Sequence, residues 1–442
     1  MLLKYSTLAL AAAQCVVGLR FAMYIDKWHT KNLPSRDKTQ GITHAIMSFA
    51  ESTLFNSDSP QPFEPFEPVS TMRGRFAPDT KIMVAIGGWG DETGFMEGAK
   101  DAASRERYAK NVAAMLDASG FDGVDIDWEF PGGNGQDYKK TPNSEKTSEI
   151  ETFPLLLEAL RKEIGKDKVI SIATPGKRED MIAYTAEQGP KIWPSVDIIN
   201  VMSYDLMNRR NNETKHHSSV VGSLDTIHAY LEIGAPPEKI NLGFAYYAKW
   251  FTTKPDGDCA THPIGCPVVE MELPDGTDNG KSGTVTFEPA NMAPPPDDLK
   301  VSTDNTCGLT AGKCPPGSCC SQYGNCGTGD DFCMAGCLSD FGECKGVSTM
   351  DSWRRALSEG KTDEKAGGQY YMDTEASIFW TWDTPALIER KFNDIVDVEK
   401  LGGVMAWSLG QDTYDFRHVK AMQEGVAARS GSGAPQRLTV TP

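Results

Sequence analysis

Eight short apolar runs, each followed by a longer amphipathic stretch, predict a (β/α)8 barrel for this 442-residue chain. The runs are rich in β-branched residues and read as buried strands. The length exceeds the ~250 residues typical of that fold and leaves room for a second, smaller unit. A doubly wound open sheet shares the strand–helix alternation and is the alternative on pattern alone.

The strands are expected at Arg20–Asp26, His44–Ala50, Lys81–Gly87, Gly123–Glu129, Val169–Thr174, Asp197–Tyr204, Lys239–Ala245 and Gly403–Leu409. Helices are expected between them at Ser104–Ala118 and at Glu151–Lys166. The second has its apolar positions at Phe153, Leu156, Leu157, Leu160 and Ile164, a helical spacing. The seventh and eighth strands lie far apart in sequence, and residues 251–375 between them are rich in Pro, Gly, Asp and Thr, with a breaker at Pro294-Pro295-Pro296. This region is read as an insertion after the seventh strand, completed by Phe379-Trp-Thr-Trp382. The helix Asp383–Val396 then rejoins the barrel, which comprises 19–250 and 376–428. Residues 429–442 are Ser/Gly/Pro-rich and read as a disordered tail.

Composition narrows the partners. With 24% charged and 39% hydrophobic residues the chain is an ordinary globular one, but its net charge of −17 argues against nucleic acid or an anionic membrane surface. A neutral polymer is compatible with it. Residues 1–18 carry one cation, Lys4, and an Ala-rich apolar stretch, the pattern of a secretory signal with cleavage after Ala13 or Gly18. No other stretch approaches the ~20 apolar residues of a membrane span. Of eleven cysteines, Cys15 leaves with the leader, which makes ten; eight of these crowd into 307–344. The adjacent Cys319-Cys320 fits zinc ribbons poorly, so disulfides and an extracellular location are expected. Asn212-Glu213-Thr214 is a glycosylation sequon consistent with export.

The chemistry is concentrated in Asp122-Gly-Val-Asp-Ile-Asp-Trp-Glu129. Asp125, Asp127 and Glu129 alternate with Val124, Ile126 and Trp128, so a strand would place the three carboxylates on one face, roughly 6–7 Å apart. Carboxylates that close in a partly dry site cannot all ionise freely; at least one pKa rises and protons are shared. Such clusters suit either a metal or a carboxylic acid kept protonated near neutral pH. The apolar flanks, Phe121 and Phe130-Pro131, resemble a buried strand ending in a loop more than a calcium loop.

This run closely resembles the acidic signature on the fourth strand of family 18 glycoside hydrolases, the chitinases. The resemblance implies a (β/α)8 barrel and a substrate-assisted, retaining mechanism with neither cofactor nor metal. It makes Glu129 the general acid and base. Asp127 would orient the substrate acetamide, Asp125 would share a proton with Asp127, and Asp122 would be structural. Met202-Ser203-Tyr204-Asp205 matches the family pattern Met-x-Tyr-Asp, with Tyr204 on the acetamido carbonyl and Asp205 on the sugar. Trp407 matches the Trp that floors the −1 subsite, and Tyr24 the Tyr beneath the acidic cluster. Met202, Trp89, Tyr247 and Trp382 are further expected sugar contacts. One departure stands out: the family pattern Ser-x-Gly-Gly reads Ala85-Ile86-Gly87-Gly88 here, which removes a hydroxyl expected to hold Asp125. A hydrogen bond to a charged group is worth about 1.5–3 kcal/mol, enough to shift a pH profile.

Residues 305–345 resemble the hevein-type chitin-binding module of carbohydrate-binding family 18. Eight cysteines allow 105 pairings; the resemblance selects Cys307–Cys320, Cys314–Cys326, Cys319–Cys333 and Cys337–Cys344, with Cys259–Cys266 a separate local pair. Its sugar site would comprise Ser321, Tyr323, Asn325 and Phe332. Asn325 stands where the family prefers an aromatic, so weaker binding is expected. Together the two resemblances imply a secreted, monomeric chitinase acting on chitin and its oligosaccharides. The alternatives are a chitin lectin on a weak barrel, favoured by Ala85, and an endo-β-N-acetylglucosaminidase acting on N-glycans.

Overall fold

The computed structural model describes residues 18–292, 296–321, 323–333, 337–345 and 349–430. The expected leader, but for Gly18, and the tail from 431 lie outside them. Seven strands, β1 (Arg20–Asp26), β2 (His44–Ala50), β3 (Lys81–Gly87), β4 (Gly123–Asp127), β5 (Val169–Thr174), β6 (Ile198–Val201) and β7 (Ile240–Ala245), run in parallel. Next in the chain come β8 (Tyr247–Thr252), β9 (Ser282–Thr286), β10 (Cys319–Cys320), β11 (Cys326–Gly327), β12 (Lys361–Asp363), β13 (Gly368–Asp373) and β14 (Ile378–Trp382). Strand β15 (Gly403–Trp407) then closes the barrel by pairing with both β1 and β7. The open-sheet alternative is thereby excluded.

Alternation along each barrel strand divides two cores. Phe21, Met23 and Ile25 of β1 face outward into the main core against the helices, whereas Ala22 and Tyr24 face the barrel interior. On β4, Val124, Ile126 and the following Trp128 join the outer core, where Trp128 stacks on Phe95 at 5.4 Å. Asp125 and Asp127 are left pointing inward. Three strands stop earlier than expected: β4 at Asp127 rather than 129, β6 at Val201 rather than 204, and β15 at Trp407 rather than 409. Ladder pairing ends there, although the side-chain alternation of the β4 run carries on to Trp128.

The first expected helix runs from Ala102 to Ser119, starting two residues early because the Asp101 carboxylate caps it by accepting from the Ser104 amide at 2.8 Å. The second spans Glu149–Ile164 and stops at Gly165. The rejoining helix is Pro385–Lys391, continued by one wider turn at Phe392–Val396.

The insertion is a five-stranded antiparallel sheet in the order β12-β13-β14-β8-β9. Between β9 and the helix Thr349–Glu359 the chain forms the small cystine unit, with bridges 307–320, 314–326, 319–333 and 337–344 around the β10–β11 ribbon. Cys259 and Cys266 form a fifth bridge. Among the described residues, no helix is long and apolar enough to cross a membrane.

Candidate active site

The C-terminal ends of the barrel strands open into a cleft of about 920 Å³, lined by Asp127, Glu129, Met202, Tyr204, Asp205 and Trp407 together with loops and insertion strands. Three carboxylates descend from it in graded burial. Glu129 is half-buried on the cleft floor, Asp127 is buried and Asp125 is fully buried inside the barrel. The backbone allows this crowding because Gly87 and Gly88 follow β3. The Gly88 amide donates to the Asp127 carbonyl at 2.8 Å, and a Cβ on Gly87, at φ +103°, would lie 2.3 Å from that same oxygen. The paired glycines thus serve a close strand approach.

Asp125 has three side-chain donors. Tyr24 Oη donates to Oδ2 at 2.9 Å, Ser171 Oγ to Oδ1 at 2.5 Å and Asn200 Nδ2 to Oδ1 at 3.2 Å. Asn200 also donates to the Tyr24 hydroxyl and accepts from Asn241. The hydroxyl missing at Ala85 is therefore supplied from the other side: Asp125 pairs in register with Ala85 on β3 and with Ser171 on β5. Burial pushes Asp125 up to about 6, and these donors hold it from rising further. Ser171→Ala should raise the proton affinity of Asp125, shift the acidic limb of the pH–rate profile upward and lower kcat about tenfold. Adding Ala85→Ser, on the opposite neighbouring strand, should restore much of the loss.

Burial, then the charges of Glu129 and Asp125, raise Asp127 well above the ordinary carboxylate range. Its Oδ1 is buried without a hydrogen-bond partner among the described residues. Glu129 is pushed up to about 8, first by burial and then by Asp205, Glu92 and Asp180. A carboxylic acid is thus kept protonated at neutral pH beside the cleft. The Tyr204 phenol, raised by burial and by Asp127, stays protonated as a donor. Asp205, at φ +55°, is opposed by burial but held below the usual range by Lys249 at 3.1 Å and by His217; it accepts from Tyr247 at 2.9 Å. Anionic Asp205 and neutral Glu129 are two carboxyl groups with separated proton affinities in one cleft.

Trp407 lies with Phe49 at 5.5 Å and 18° and with Tyr24 at 5.7 Å, so its indole forms part of the floor. Trp89 is 45% exposed on the wall, its ring 5.5 Å from the Arg210 guanidinium. Asp122 lies at the opposite end of β4, where it accepts from Arg73 and the Ile82 amide.

Of the expected sugar contacts, Trp382 is not brought to the cleft. It is buried in the insertion, edge-on to Trp353 at 5.2 Å and against Gly360. Sequence reasoning also missed Trp28, which is 64% exposed on the cleft rim. Its signal was available: an aromatic two residues beyond a barrel strand's C-terminal end, in a turn held by Asp26 accepting from the Trp28 and His29 amides. Ser171 and Asn200 were missed as well.

A parallel barrel that gathers a protonated carboxyl, a deeper carboxyl pair, a phenol donor and an indole floor in one open cleft has the architecture of a glycoside hydrolase. Residues 20–412 match the family described as "Glycosyl hydrolases family 18", and the chain belongs to that family. It is 26% identical to Chitinase 1 of Aphanocladium album over 277 residues, 53% of this chain and 62% of that one. It is 23% identical to Chitinase 63 of Streptomyces plicatus over 450 residues, 92% of this chain and 59% of that one. The chain thus spans less than two thirds of the length of these relatives. Among solved structures, a chitinase from Rhizomucor miehei superposes with a TM-score of 0.62 at 18% identity, covering 92% of this chain and 99% of that one. That likeness concerns the fold.

Proposed function

We propose that this protein is a chitinase, hydrolysing β-1,4 linkages between N-acetylglucosamine units with retention of configuration. The observation that carries the reading is the graded carboxylate stack, with Glu129 pushed up to about 8 at the cleft and Asp127 buried beside it with no donor for Oδ1 among the described residues. The substrate's acetamide N–H is the donor that Asp127 lacks. Held there, the acetamido oxygen attacks its own C1 while Glu129 transfers its proton to the glycosidic oxygen, so the aglycone leaves as an alcohol. The positive charge is then carried by an oxazolinium ring, with Tyr204 donating to the acetamide oxygen and Asp127 facing the acetamide nitrogen. Water next attacks C1 from the vacated face and gives its proton to Glu129. Asp125 shares a proton with Asp127, so the pair titrates as a unit.

The names of the relatives agree with this reading, and Ser171 supports it by giving Asp125 a hydroxyl donor where Ala85 gives none. The test is hydrolysis of N-acetylglucosamine oligomers with the first product followed by NMR. A β-anomer is expected. An α-anomer would refute substrate assistance, and intact oligomers with protein that still sediments on chitin would make it a lectin.

The cystine unit is read as a hevein-like chitin-binding module. Tyr323 is 80% exposed, Phe332 is half-buried over Gly327, and Ser321 is buried with Oγ accepting from the Asn325 amide at 3.3 Å. One free ring and one partly covered ring favour modest affinity. Tyr323→Ala should cost more than ~1 kcal/mol, about fivefold in chitin retention, with oligomer hydrolysis unchanged. Five disulfides favour an extracellular location, and the net charge of −17 favours a neutral polymer over anionic partners.

A further inference from the structure

The cystine unit is mounted on the cleft wall through a continuous path of packed side chains. Strand β9 contributes Ser282, Gly283 and Thr284 to the cleft, and β8 contributes Tyr247, Lys249 and Phe251. Phe287, just beyond β9, lies parallel to Trp353 at 6.2 Å and 12°. Trp353 belongs to the helix Thr349–Glu359, is fully buried, and also packs on Trp380 at 4.9 Å and Trp382 at 5.2 Å. The Trp380 indole N–H donates to Ser352 Oγ of the same helix at 2.8 Å. The helix is therefore pinned to the sheet whose edge forms the cleft wall.

The same helix holds the cystine unit. Ser339 Oγ donates to Asp351 Oδ1 at 2.6 Å, and Arg354 pairs with Asp340. Leu338 and Phe341, on either side of these residues, are 6% and 1% exposed and belong to the main apolar core. On the N-terminal side the Lys313 amide donates to the Lys300 carbonyl, and the Ser302 amide to the Lys313 carbonyl, at 2.8 Å each. Leu338 and Phe341 share one apolar cluster with Trp353 of the helix, and the partly buried polar pairs set the orientation. The docked face and the exposed Tyr323 are different parts of the unit, so docking leaves that ring free.

We infer that the helix Thr349–Glu359 locks the cystine module in one orientation to the cleft, and that this lock aligns a bound polymer chain with the catalytic groups. The inference rests on the reading of cleft and module as chitin sites. A flexible tether raises the local concentration of substrate but samples every direction; a rigid mount keeps a single direction between module and cleft.

Charge reversal tests it. Arg354→Glu should leave hydrolysis of soluble N-acetylglucosamine oligomers and sedimentation with chitin within about twofold of wild type, and lower hydrolysis of particulate chitin about three- to tenfold. Limited proteolysis should show faster cutting near Lys345. The double variant Arg354→Glu/Asp340→Arg should recover most of the particulate activity. Phe341→Ser, which removes the apolar half, should reproduce the loss, with chitin sedimentation reporting that the module itself remains folded. Unchanged particulate activity in both single variants, or unchanged proteolysis in both, overturns the lock. Wild type that leaves soluble oligomers intact overturns the proposed function instead. Wild type that cuts oligomers but does not sediment with chitin overturns the module reading, and the lock with it.

Discussion

Glu129→Gln should reduce hydrolysis of N-acetylglucosamine oligomers about a thousandfold while leaving the fold and chitin sedimentation intact. The amide keeps the shape of the side chain and loses only the transferable proton. Single-turnover rates on an oligomer, measured beside thermal unfolding, separate this from a folding defect. The pH dependence gives an independent reading. In the proposed mechanism Glu129 must be protonated to act as the acid, and its proton is held up to about pH 8, so wild-type activity should decline above that value. Stability follows the same proton. The folded-state affinity lies above the unfolded value of 4.5, so the unfolded chain releases this proton first as pH rises. The stability contributed by the protonated carboxyl is complete below about 4.5 and is lost progressively toward about 8. Gln carries no such dependence. The melting-temperature advantage of Glu129→Gln over wild type should therefore grow between about pH 5 and 8 and then level off. A flat difference would mean that Glu129 ionises normally in the folded protein.

That a carboxyl with a raised proton affinity destabilises the fold as pH rises toward 8 explains why the stack was conspicuous in the sequence. Asp125, Asp127 and Glu129 alternate with three apolar residues in a run that folding alone would not select. The barrel strands were legible for a related reason: strands buried on both faces have continuous apolar interiors, and β1, β2, β3 and β5 have the bounds expected from those runs. Strand ends at the site were less legible, since Glu129 and Tyr204 lie beyond the last ladder bonds. Ser171 and Asn200 were hidden by their ordinary types. A hydroxyl or an amide inside a buried strand is nonetheless a signal, because it must find a partner; the partner was Asp125, on a neighbouring strand for one and two strands away for the other. Trp382 misled for the converse reason. Its aromatic run resembles a cleft wall, but β14 is buried on both faces, with the helix Thr349–Glu359 packed against it, and no local pattern in the strand announces that helix.

Asp127→Asn should lower kcat about 10²- to 10³-fold with a much smaller change in KM, the signature of an interaction made chiefly in the transition state. Asp127 is buried, with no donor among the described residues for Oδ1, and its neighbours on the same strand face are two more carboxyls. Desolvation makes an unpartnered anion there costly, so a substrate N–H whose positive character grows as the acetamide becomes an oxazolinium gains most at the moment of ring closure. An Asn side chain can still accept from that N–H, which is why ground-state binding should survive. It cannot carry the opposing charge. Asp125→Asn, one step further from the cleft and already held by Tyr24, Ser171 and Asn200, should cost less, because it alters only the shared proton. The ordering distinguishes this scheme from one with an enzyme nucleophile. Had Asp127 attacked C1 directly, its variant with an activated glycoside should be rescued by azide as an α-linked product. With substrate assistance the same variant should give no α-linked azide, and replacing the N-acetyl group of the −1 sugar by a hydroxyl should abolish turnover in the wild type.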